Sequence, residues 1–70
     1  MPAKYVILTD VPRYRIAALE RLADNFDGAA SVVDAALSSS GVDMKIEAGP
    51  DVLPSILDAA IELDFEARLA

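Results

Sequence analysis

The sequence predicts an α+β domain of two layers in the order β-α-α-β-α-β. It expects a three-stranded antiparallel sheet with strand one at its centre and the helices on one face. Three observations carry this expectation. Tyr5-Val6-Ile7-Leu8 is apolar on both parities, as a strand in the middle of a sheet must be. Val42 to Ala48 alternates apolar and charged residues without a fault, which marks a strand with one buried and one wet face. The segments around these runs repeat apolar residues at three- and four-residue spacing, the mark of amphipathic helices.

Strand one is expected from Lys4 to Thr9. Asp10, followed by Val11-Pro12, reads as a helix entry, with a carboxylate to cap exposed N–H groups and a proline where no N–H is needed. In helix one, Tyr14 or Ile16, Leu19, Leu22 or Ala23, and Phe26 face inward, and the helix stops near Asp24-Asn25. Asp27-Gly28 breaks the pattern. A second helix capped by Asn25 or Asp27 is expected to bury Ala29, Val32, Val33, Ala36 and Leu37, and to end at Ser38-Ser39-Ser40-Gly41 with glycine as a left-handed cap.

Strand two, Val42 to Ala48, is expected at a sheet edge because one of its faces is charged. Gly49-Pro50 turns the chain, and Asp51 is placed to cap a third helix that buries Leu53, Ile56, Leu57, Ala60, Ile61 and Leu63. Beyond Leu63 the helical period would bury Asp64 and Arg68. Period two instead puts Phe65, Ala67 and Leu69 on one side, so a short third strand is expected there, with an amphipathic tail for a partner as the competing reading. If each element reverses direction, strand one pairs antiparallel with both others.

Composition bounds the function. All 70 residues are expected in one small domain, 54% hydrophobic, near the size at which burial roughly balances chain entropy. Without cysteine or histidine there is no disulfide, no thiolate or imidazole metal site and no His-dependent triad. No cofactor is expected. The net charge of −6 opposes binding to a phosphate backbone, so no nucleic-acid partner is expected. No apolar run approaches a membrane span and no signal-peptide pattern opens the chain, so a cytoplasmic protein is expected, as a monomer or weak homodimer. Charge is bipolar: residues 1–22 hold four cations against two carboxylates, and residues 23–70 hold two against ten.

Val6-Ile7-Leu8, Ile16-Ala17-Ala18-Leu19, the break at Asp27-Gly28, Lys45, Asp51 and Glu66-Ala67-Arg68-Leu69 together resemble the C-terminal domain of the ribosomal stalk protein. The fold is also similar to that of ClpS-like adaptors, whose first strand is an apolar run ending in acidic residues. These resemblances imply the β-α-α-β-α-β fold and a non-enzymatic module that binds a protein or peptide. Positions aligned with the stalk domain's factor-binding lysines are Glu20, Ser31 and Asp34, so that patch has lost its charge. Positions aligned with the adaptor's Asn-Asp-His pocket for an amino-terminal ammonium are Thr9, Asp10 and Ser38, of which only the aspartate is kept.

The candidate partner-binding residues are therefore Thr9, Asp10, Arg13, Tyr14, Arg15 and Ser38. The plain structural alternatives are Asp10 as a cap, the Arg13-Tyr14-Arg15 run as solvated surface, and Ser38 as part of the end of helix two, with no histidine or lysine base to make it a nucleophile. Met1-Pro2 before an apolar strand is similar to tautomerases that use an amino-terminal proline, but two expected helices intervene before strand two and no arginine ends that strand. The reading favoured is a protein-binding module that uses helix one and the end of strand one. The alternative is a small acidic regulator or inhibitor that docks on a basic surface, for which binding would weaken steeply with salt.

Overall fold

The computed structural model describes residues 3–70. The chain runs β1 (Tyr5–Val11), a single 3-10 turn (Arg13–Arg15), α1 (Ile16–Asp24), β2 (Ala30–Leu37), β3 (Val42–Ala48), α2 (Leu53–Glu62) and β4 (Glu66–Leu69). The four strands form one antiparallel sheet in the order β2-β3-β1-β4. Helix α1 packs beside β2, and α2 packs over β1 and β4. This is the split β-α-β arrangement, a scaffold on which many functions are built.

The α+β class, the antiparallel sheet, the placement of β1 between two partners and the strand at the C-terminus match expectation. The second helix does not. Residues 30–37 form β2, so the sheet has four strands rather than three, and β3 lies inside it rather than at an edge. The reason lies in a bulge. Register with β3 runs Ala30↔Ala48, Ser31↔Glu47, Val32↔Ile46 and then skips Val33 before Asp34↔Lys45 and Ala35↔Met44. Paired residues share a face, so Val32 and Ala35 point the same way although they are three residues apart. One bulge thus reproduces the three-residue step of a helix inside a strand.

The entry to β2 reinforces this. Asp27 and Gly28 both have positive φ, 53° and 82°, and the Ala29 N–H donates to the Phe26 carbonyl at 2.9 Å. Those are the features of a type I′ turn, which Asp-Gly favours and which sends the chain away extended.

The core lies between the sheet and the two helices. Val6, Leu8 and Val11 of β1 and Val42, Met44 and Ile46 of β3 meet Leu19 and Leu22 of α1 and Leu53, Ile56 and Ala60 of α2. Phe65 closes the α2–β4 end. Eight residues expected in the core are instead exposed: Tyr14, offered as the alternative to Ile16; Ala29, Val32, Val33, Ala36 and Leu37, expected on a second helix; and Ile61 and Leu63. Tyr14 sits in the 3-10 turn ahead of α1, where the α-helical phase has not begun.

None of the caps expected at Asp10, at Asn25 or Asp27, and at Asp51 forms. α2 begins after Val52, without a side-chain cap and with Pro54 in its first turn. Asp51 stays outside it. α2 ends in a Schellman motif: Phe65 N–H donates to the Ala60 carbonyl and Asp64 N–H to the Ile61 carbonyl, both at 3.0 Å, with Asp64 at φ 63°. This geometry explains why the helical pattern fails after Leu63. Gly41 is not left-handed as expected. It is glycine because a Cβ there would press against the Val11 carbonyl, where the β2–β3 hairpin crosses the end of β1.

Candidate partner-binding edge

β2 is an edge strand covered only at its start. Ala30 is buried, and every residue from Ser31 to Leu37 is exposed, including Val33 at 49% and Leu37 at 76%. On the helix-side face Val32, Ala35 and Leu37 continue the row begun by Ala30, but they extend past the cover that α1 supplies. The strand persists without that cover because its other side is paired along its length with β3, and because Val32 and Val33 suit a pleated backbone.

The hairpin fixes which backbone groups of β2 are free. Ser38 N–H donates to the Gly41 carbonyl at 2.9 Å, so by antiparallel alternation Ala36 and Asp34 bond toward β3 while Ala35 and Leu37 point outward. The Asp34 carboxylate accepts the outward Ala35 N–H at 2.9 Å, which leaves the Leu37 N–H facing solvent. An outward row of this kind is a template for another strand.

The expected site residues separate into two groups. Arg13, Tyr14 and Ser38 come together, with Pro12 and Gly41, around an open cavity of about 430 Å³ at the end of β2. Tyr14 is 86% exposed there. The Ser38 Oγ is buried and has no hydrogen-bond partner among the described residues. Asp10 lies close by, since the backbone at Asp10-Val11 is what Gly41 packs against.

Asp10 is not a helix cap. β1 continues through it to Val11, the β1–β3 register shifts between Leu8 and Val11, and Asp10 occupies that irregularity at φ 53°, a conformation that aspartate tolerates better than most residues. Its N–H, turned out of the ladder, donates to the Asp43 carboxylate at 2.9 Å. Thr9 pairs with Glu66 on the sheet's far side. Arg15 leaves the group altogether: its guanidinium donates to the Leu63 carbonyl at the end of α2 and lies 4.3 Å from the centre of the Phe65 ring. Its role is to finish α2 and cover the core, by a capping bond and a cation–π contact.

The sheet face away from the helices carries Tyr5, Ile7, Lys45 and Asp34. Lys45 Nζ sits 4.8 Å from the Tyr5 ring centre, so its ammonium leans across β3 toward β1 and away from β2. A second groove, lined by residues such as Ala18, Leu22, Ala59 and Leu63, runs between α1 and α2. Among the described residues no cluster of three or more His, Cys, Asp or Glu is placed to hold a metal, and no helix is long and apolar enough to cross a membrane. Pro2 lies outside the described residues. The β2 edge itself went unnoticed in the sequence, although Asp27-Gly28 and the paired valines were its signals.

Compared with known proteins, the chain matches no family model, no curated protein sequence and no solved structure.

Proposed function

We propose that this chain is a non-enzymatic protein-binding module that receives a segment of its partner as a fifth strand along β2. The observation that carries the reading is the eight-residue, mostly apolar edge of β2, exposed from Ser31 onward, with the Leu37 N–H directed outward. Strand addition draws affinity from main-chain hydrogen bonds and selectivity from alternate side chains. Val32, Ala35 and Leu37 offer an apolar row on one face for those side chains. The contact continues past the hairpin to Arg13 and Tyr14, the exposed residues of the turn after β1 that border the same end of the strand.

A displayed library of extended peptides, followed by amide chemical-shift mapping of the best binders, tests this. Strand addition predicts that the largest shifts fall on Ala35, Leu37 and their neighbours. Shifts confined to the α1–α2 groove or to the open sheet face would refute it, as would a library without a single binder.

A further inference from the structure

An exposed apolar edge invites a second copy of the same chain, and natural proteins suppress that with charge. Here each copy carries −6, and Asp34 is the only charged residue on β2 itself. Under the lip of α1, beside Ala30, Ser31 and Val32, Glu20 and Asp24 line an open cavity of about 320 Å³ with no cation in its lining. Both side chains are exposed. On the other face, Lys45 stands opposite Asp34 in register, yet its ammonium is drawn across to Tyr5. Asp34 is thus left to the outer side. Arg21, between Glu20 and Asp24 in α1, lines the α1–α2 groove instead, and the cations at the two ends of β2 are Arg13 by the hairpin and Lys4 in the cavity it shares with Ser31 and Glu47.

From this charge arrangement we propose that the occupant of the β2 edge is an extended segment rich in lysine or arginine, supplied by a protein of opposite charge and not by a second copy. This rests on the strand-addition reading and names its partner's chemistry. Apolar residues of the incoming strand pair with Ala35 and Leu37. Basic ones reach Asp34 on one face, and Glu20 and Asp24 on the other. A second copy would bring the same carboxylates to the same edge, whereas a basic strand neutralises them and is steered in by the field of the whole molecule.

The test compares three extended peptides that place valine opposite Ala35 and Leu37 and lysine, threonine or glutamate at the other positions on both faces, using calorimetry together with amide hydrogen exchange at β2. The expected result is that the lysine peptide binds about tenfold more tightly than the threonine peptide, weakens as salt rises from about 0.05 to 0.5 M, and slows exchange at Leu37. The Glu20→Lys/Asp24→Lys double variant, changed only at exposed positions of α1, is expected to lose that preference while keeping threonine-peptide binding. Equal, salt-independent binding of the lysine and threonine peptides, with Leu37 protected by both, would overturn the basic-partner inference and leave strand addition standing. If no peptide slows exchange at Leu37, strand addition itself fails. A dimer in sedimentation that protects Leu37 without peptide would assign the edge to a second copy and overturn the inference.

Discussion

The two edges of the sheet are built differently. β4 is four residues long, carries Glu66 and Arg68, and is held at both ends: Phe65 is buried beneath it, and Ala70 exchanges backbone hydrogen bonds with Tyr5. β2 is twice as long, has one charge, and presents valines, alanines and Leu37 to solvent. Shortness and charge are the ordinary protections of an edge against unwanted pairing. Both edges belong to one sheet, so the fold alone does not demand the difference. β4 has both of these protections, and β2 has only the single charge of Asp34.

The sharpest way to break this contrast is to truncate the apolar residue that serves each edge. Phe65→Ala removes a ring that is 6% exposed and lies against both the core and Arg15, and is expected to cost about 3 kcal/mol or more in urea unfolding. A loss under about 1 kcal/mol would mean that β4 is not anchored as described. Gly41→Ala comes next. Its new Cβ meets the Val11 carbonyl, a backbone atom that cannot swing aside, so about 2 kcal/mol should be lost, with the β2–β3 hairpin signals perturbed first. An unperturbed hairpin in that variant would argue against the close crossing with β1. Smallest is Leu37→Ala, expected to change stability by less than about 0.5 kcal/mol because the side chain is already largely in water. A cost near that of Phe65→Ala would show that β2 is covered, contrary to the open-edge account.

The same contrast explains what could be read in the sequence. β1 and β3 were legible because buried strands impose their own periods: both-sided for Tyr5-Val6-Ile7-Leu8, alternating for Val42 to Ala48. The placement of β3 failed for a related reason. A strand with one wet face belongs at any position in a sheet with one open face, so alternation could not distinguish an interior strand from an edge. β4 was legible because continuing the helix past Leu63 would have buried charge. β2 was hidden by the skipped Val33, which turns period two into a step of three at the centre of the strand, and by the alanines that suit helices as well. Directions survived the error: an ascending strand replaces an ascending helix, so the antiparallel pairing of β1 with β3 and β4 follows either way.

Of the candidate residues, Arg13, Tyr14 and Ser38 come together in space, because the turn after β1 and the hairpin before β3 meet wherever those two strands pair. Asp10 does not cap a helix, and Arg15 lies apart from Arg13 and Tyr14. Their roles depend on partners distant in the chain, Asp43 at the irregularity in β1 and Leu63 at the end of α2, which local pattern does not display. Cap-forming residue types at plausible positions were not enough to predict a cap.

The central claim is that residues 30–37 form a strand paired on one side only, and amide hydrogen exchange in the free protein tests it most directly. Antiparallel pairing with β3 turns the Asp34 and Ala36 N–H groups inward and leaves Leu37 outward, with Ala35 held only by the Asp34 carboxylate. Exchange is therefore predicted to alternate, slow at Asp34 and Ala36, fastest at Leu37, and slowest of all at Val6 to Leu8 in the sheet interior. Uniform protection from Asp34 through Leu37 is what a helix would give, and it would contradict both the strand and the open edge.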